Sequence, residues 1–183
     1  DIVLTNKNAL KIFGDKGIYP METVIGVFSI TSNLTLPKLK KCMTELSKIP
    51  KHHYYFHMET FYGDKFKTET DTVWKNTVPF SCIFGFKGNI KNAWLDEINK
   101  HAQEVSDKSL LPSLIVVNKK ALFEKCIKKE ANGQITFWYE YVPVNTKDKY
   151  GYYLSKILFH LYNLSGEQNF RRPNYGQYFD KDY

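Results

Sequence analysis

The sequence predicts an α/β sandwich built on a mixed central sheet, and two observations carry that prediction. Short runs rich in β-branched and aromatic residues alternate with longer segments whose apolar residues recur every three to four positions. The order along the chain is strand, helix, strand, helix, strand, which calls for parallel as well as antiparallel neighbours. No internal repeat, low-complexity tract or change of composition marks a second domain, so residues 1–183 are expected to form one.

Residues 1–5, DIVLT, read as a first strand and residues 23–31 as a second. The glycines and proline of FGDKGIYP mark the loop between them. A chain that opens without methionine and already in a strand leads us to expect further residues upstream. A helix follows: Thr35 is placed to cap it, Pro37 falls in its first turn, and Leu36, Leu39, Met43 and Leu46 recur at helical spacing. Lys40, Lys41 and Lys48 fall towards its wet side. Residues 51–77 are rich in His, Tyr, Phe and Asp and show no sustained period. Residues 78–86, VPFSCIFGF, read as a strand with Val78, Phe80, Cys82, Phe84 and Phe86 on one face. Residues 89–105 form a helix whose stripe is Ile90, Trp94, Ile98, Ala102 and Val105. Residues 114–117 make a short buried strand and 134–144, with alternating aromatics, another. Residues 149–164 close the series as an amphipathic helix through Tyr150, Tyr153, Leu154, Ile157, Leu158 and Leu161.

A hydrophobic content of 43% is enough to bury one core and excludes a disordered chain. The net charge of +7 favours polyanions without assigning one. Cys42, Cys82 and Cys126 are far apart and never form a C-x-x-C pair. They exclude a disulfide framework and a zinc knuckle, and fit small core residues in a reducing, cytoplasmic compartment. No apolar run approaches the ~20 residues of a membrane span, so no membrane partner is expected.

The second strand is the informative one. Side chains alternate along it, so Val24, Gly26, Phe28 and Ile30 face one way and Ile25, Val27, Ser29 and Thr31 the other. Two residues at i and i+2 near a strand end, opposite an aspartate of the preceding strand, form the layout restriction-type nucleases use to cleave phosphodiesters. In that layout the pair is Glu and Lys: two carboxylates hold Mg²⁺, and the lysine steers water and steadies developing charge.

Asp1-Ile2-Val3-Leu4, the loop ending at Pro20 and the stretch PMETVIGVFSITSNLT resemble an uncharacterised bacterial domain family of the PD-(D/E)xK, restriction-endonuclease-like superfamily. Its pattern is D-I-h-h, then P-x-E-x-V-h-x-V-h-E-V-K-S-x-L-T. Aligned without gaps from Pro20, this chain keeps Glu22, Val24, Val27, Ser32, Leu34 and Thr35. Ser29 stands where the family has glutamate and Thr31 where it has lysine. VPFSCIFGFKG, LPSLIVV and YGYYLSKILFHLYN are similar to later family segments. The resemblance implies a restriction-endonuclease-like three-layer sandwich, a mixed central sheet flanked by helices, that lacks its N-terminal helix in this chain. It also implies that Asp1 is the metal-binding aspartate of a degenerate site.

Neutral hydroxyls replace a carboxylate poorly on Mg²⁺ and supply no positive charge. The resemblance therefore implies a catalytically inactive nuclease-fold protein that binds nucleic acid or a protein without a cofactor, in bacterial defence or mobile-element biology. The alternative is a Mg²⁺-dependent nuclease with relocated groups, Glu45, Lys38 and Lys41 on the following helix. A third possibility is that Ser29 and Thr31 simply suit a strand surface. Lys40, Lys41, Lys48, Lys51, Arg171 and Arg172 are the candidate nucleic-acid contacts, with Tyr54, Tyr175 and Tyr178 available for base stacking. His52, His53 and His57 lack an obvious fourth zinc ligand. Asp64, Glu69 and Asp71 lack the glycine and spacing of a calcium loop, and Glu22 fits a turn partner.

Overall fold

The computed structural model describes residues 1–5, 24–49, 79–91, 93–143 and 149–168, with the side chains of the last helix described over 152–162. The described residues form a six-stranded sheet and three helices. They are β1 (Ile2–Thr5), β2 (Val24–Leu34), α1 (Leu36–Leu46), β3 (Phe80–Gly88), α2 (Trp94–Glu104), β4 (Leu114–Val117), β5 (Ala121–Lys129), β6 (Ile135–Tyr141) and α3 (Lys149–Gln168). A single 3-10 turn, Lys108–Leu110, precedes β4.

Spatial order follows sequence order, β1-β2-β3-β4-β5-β6. β2, β3 and β4 run parallel, joined by crossovers that contain α1 and α2, while β1 and the β5–β6 pair are antiparallel to their neighbours. Strand alternation splits the core in two. On one face α1 and α2 bury Leu39, Met43, Leu46, Trp94, Ile98 and Ala102 against Ile83, Ile115, Val117, Phe123 and Tyr139. On the other, Tyr153 and Ile157 of α3 cover Phe28, Phe80, Cys82, Leu114, Val116 and Leu122. The result is the expected α/β sandwich with a mixed sheet and a helical layer on each side.

Several boundaries move. β2 runs on to Leu34 and straight into α1, whose N-terminal Thr35 makes no side-chain cap. α2 begins at Trp94, not at residue 89; Ile90 stays outside the helix yet packs on the same core. β3 keeps Phe80, Cys82 and Phe84 on the α3 side as expected, but Phe86 is 56% exposed beyond the helix. The stripe expected for the last helix is half wrong: Tyr153, Ile157 and Leu161 face the sheet, whereas Leu154 and Leu158 point outwards. Val78 and Tyr150 lie outside the described side chains.

β5 has no counterpart among the sequence-derived elements. It forms a hairpin with β4 through Asn118–Lys120, where Lys119 takes the left-handed φ of 62°. Its Lys125 turns inward, and Nζ donates to the carbonyls of Ser109 (2.9 Å) and Leu111 (2.6 Å), tying the 3-10 turn to the sheet. Burial pulls this lysine down to about 8, with Asp107 partly opposing the shift. At the far edge, the Asn99 carboxamide of α2 accepts from the Tyr139 N–H (2.7 Å) and donates to the Tyr139 carbonyl (3.0 Å), closing β6 to further strands. The buried Tyr139 hydroxyl donates to the Pro112 carbonyl at 2.7 Å.

Gly85 and Gly26 let the layers approach. A Cβ on Gly85 would stand 2.6 Å from the Leu34 Cβ, and one on Gly26 3.2 Å from Leu161 Cδ2 of α3. Gly85→Ala is therefore expected to lower stability by about 1–3 kcal/mol in urea unfolding. Lys125 gives a pH signature of definite sign. Below pH 8 it is charged in both states and burial costs the native one. Between about 8 and the ordinary 10.5 the native state holds fewer protons than the unfolded, so stability rises with pH. Relative to Lys125→Met, wild type should gain up to about 3 kcal/mol across that window in parallel denaturation curves.

Candidate functional site

The antiparallel register of β1 on β2 pairs Ile2 with Phe28 and Val3 with Val27. The exposed Asp1 immediately precedes β1, one residue before the Ile2–Phe28 pair. Ser29 and Thr31 share the α1 side of β2 and lie beside Ile83 and Gly85 of β3. Alternation dictates this, because Phe28 fills the core on the opposite face.

Both hydroxyls are already engaged. Ser29 Oγ donates to Cys42 Sγ of α1 at 3.4 Å, and Thr31 Oγ1 donates to the Asn33 carbonyl at 3.3 Å. Leu39, Met43 and Leu46 press α1 onto the sheet at this point. The thiol of Cys42 is thus a site residue that sequence periodicity misses: it fell between the stripe and the wet face, and only the helix packing brings it to Ser29. Cys82 sits in the other core layer, where burial pushes its thiol up to about 12.

The relocated groups separate. Lys38 Nζ reaches the Asn33 carbonyl at 3.4 Å, the same acceptor Thr31 uses, so a cation stands beside the position where the family has lysine. Glu45 is exposed and pairs with Lys48 at 3.0 Å towards the C-terminal end of α1. Lys41 is exposed. Lys40, expected on the wet side, is bound at 2.7 Å to Glu97 of α2. The hydrogen bond and charge of Lys40 hold the Glu97 carboxyl below its usual range. Beside this pair, His101 Nε2 lies 3.1 Å from both the Lys40 carbonyl and Thr44 Oγ1, and its Nδ1 lies 3.0 Å from Glu104. The Lys40–Glu97 and His101 Nε2 contacts lock α1 to α2, and neither is readable from spacing within one helix. Glu22, Lys51, His52, His53, Tyr54, His57, Asp64, Glu69, Asp71, Arg171, Arg172, Tyr175 and Tyr178 lie outside the described residues.

A cleft of about 300 Å³ opens at the C-terminal ends of β2 and β3, lined by Asn33, Leu36, Asn89, Lys91 and Trp94 among others. Among the described residues no group of three or more His, Cys, Asp or Glu could hold a metal ion. No described helix is long and apolar enough to cross a membrane.

A mixed six-stranded sheet between helical layers defines the class of fold, an α/β sandwich. No protein-family model matches the chain and no curated protein does. Among solved structures it is similar to NucC of P. aeruginosa ATCC27853 in its cAAA-bound form. The TM-score is 0.56 at 15% identity, over 98% of this chain and 70% of that one. A likeness at this identity establishes the shared fold.

Because Glu45 and Lys48 are solvent-exposed, Glu45→Ala is expected to change stability by less than about 0.5 kcal/mol. Ser29→Ala, which removes only a long O–H···S contact, should cost under about 1 kcal/mol. Thermal melts of the two variants check both.

Proposed function

We propose that this chain is a degenerate member of the PD-(D/E)xK superfamily, a single nuclease-like domain that binds its target without cutting it. The observation carrying this reading is the content of the β2 pair: Ser29 and Thr31 present neutral hydroxyls on the α1 side of β2, and Glu45, the α1 carboxylate weighed as a replacement, turns to Lys48. One carboxylate and two neutral hydroxyls make a poor seat for Mg²⁺, which asks for hard anionic oxygens. Without the metal there is no activated water and nothing to neutralise charge on the scissile phosphate.

The favoured ligand is nucleic acid. The net charge of +7 attracts it, Lys41 is exposed on α1, and Lys38 and Lys91 flank the cleft end of β2. The NucC structure is of a cAAA-bound form, which makes a small cyclic oligonucleotide a ligand worth including. The reading takes the protein as cytoplasmic, in keeping with its three free cysteines, and a bacterial defence setting is what the family resemblance suggests. The second reading, a metal-dependent nuclease, has one observation in its favour: Lys38 occupies the neighbourhood of the missing lysine.

Incubation of the full chain with single- and double-stranded DNA and RNA and with cAAA, in Mg²⁺ or Mn²⁺, separates the readings. The expected result is no cleavage above the blank, with binding that weakens as salt rises because phosphate contacts release counterions. Cleavage abolished by Asp1→Ala would instead make the protein an active nuclease. The double variant Ser29→Glu/Thr31→Lys is expected to acquire a Mn²⁺ titration in calorimetry that wild type lacks.

A further inference from the structure

The C-terminal ends of β2, β3 and β4 gather lysines and an exposed aromatic ring on one rim of the sheet. Residues 30–38, 84–91 and 117–120 hold five lysines and no aspartate or glutamate. Hydrogen bonds fix the three segments to one another. The Asn118 N–H donates to the Gly85 carbonyl at 2.8 Å, Lys120 Nζ donates to the Gly88 carbonyl at 2.7 Å, and Asn33 pairs with Lys87 in the β2–β3 register. Lys38, Lys87 and Lys91 are exposed here. Of the two carboxylates in the first turn of α2, Glu97 is already held by Lys40. Phe86 stands between the Thr31–Gly85 and Asn33–Lys87 pairs, past the helix that covers Phe80 and Cys82. Its ring is 56% exposed, with the Phe84 ring edge-on to it at 5.2 Å, so it contributes little to the core.

We infer that this rim binds single-stranded nucleic acid, with one base stacked on Phe86 and the adjoining phosphates on Lys87 and Lys91. The inference rests on the reading of the chain as a nucleic-acid binder and narrows it to one strand form and one place. A phenyl ring stacks only on a base whose face is open, which a single strand offers at every nucleotide and a duplex only at its ends. Lys87 follows Phe86 directly and turns to the other face of β3, so ring and cation straddle the strand end. A base and its phosphate straddle their sugar in the same way. The bonds from Asn118 and Lys120 hold the rim in place before a ligand arrives, which lowers the ordering cost of binding. An acidic protein would engage the lysines and leave the ring idle.

Fluorescence anisotropy of the full chain with labelled oligothymidylate, oligouridylate and a DNA duplex, each about 20 nucleotides long, tests it across a series of salt concentrations. Both single strands should bind at least about 10-fold more tightly than the duplex. Phe86→Ala should weaken them about 5- to 100-fold at an unchanged melting temperature, and Phe86→Tyr, which keeps the ring, should retain the affinity. Lys87→Ala/Lys91→Ala should flatten the slope of log affinity against log salt by about 1.4, two contacts at about 0.7 each. Lys128→Ala, at the far end of β5, should leave that slope as it is. A duplex bound as tightly as a single strand overturns this inference alone, as does wild-type affinity in Phe86→Ala. Polyglutamate that competes as well as unlabelled single strand would assign the lysines to an acidic protein, which equally overturns it. Binding of neither single strand nor duplex overturns it together with the nucleic-acid reading.

Discussion

The parallel pairing of β2 with β3, from Gly26 on Phe80 to Leu34 on Gly88, is the contact on which the remaining architecture depends. It is the longest register in the sheet and lies between the two helical layers, so its alternation decides what each layer meets. Phe28, Phe80 and Cys82 go to α3; Val27, Ser29 and Ile83 go to α1. Two glycines make the arrangement possible, Gly85 where Leu34 folds back over β3 and Gly26 where Leu161 of α3 comes down on β2. Once this pair is in place, Ser29 and Thr31 have no choice of face. A slip of one residue would bury them under α3 and turn Phe28 towards α1.

That pairing also explains which parts of the molecule are legible in the sequence. β2, β3, β4 and β6 declare themselves because their buried faces are apolar at period two, and α1 and α2 because their stripes match the core they cover. β5 does not, for two physical reasons. Its hairpin turn places Lys119 at the left-handed position where glycine or asparagine would have advertised a turn, and its inward position 125 is a lysine whose amine is satisfied by two carbonyls. Periodicity counts such a residue as wet. The same limit misassigned α3: Leu154 and Leu158 are spaced like core residues, but Glu124 draws the helix round so that Lys156 and His160 face the sheet. The shared face of Ser29 and Thr31 is legible because both lie at i and i+2 on β2. Cys42, Lys38 and the α1–α2 lock were not, since they depend on how a helix is rotated against the sheet.

The hydroxyl pair fits a seam closed between α1 and β2. A carboxylate at position 29 would sit beside Cys42 in a half-buried seam and would be stable there only with a cation to offset its desolvation. Ser29 needs no such partner: its hydrogen reaches the thiol, and α1 can settle on β2 with Leu39 and Met43 fully buried. Thr31 likewise turns its hydroxyl to the Asn33 carbonyl, sharing it with Lys38. Lys38 supplies charge at the rim. The local energetics therefore favour a seam of hydroxyls, which needs no counter-charge, over one that buries a carboxylate.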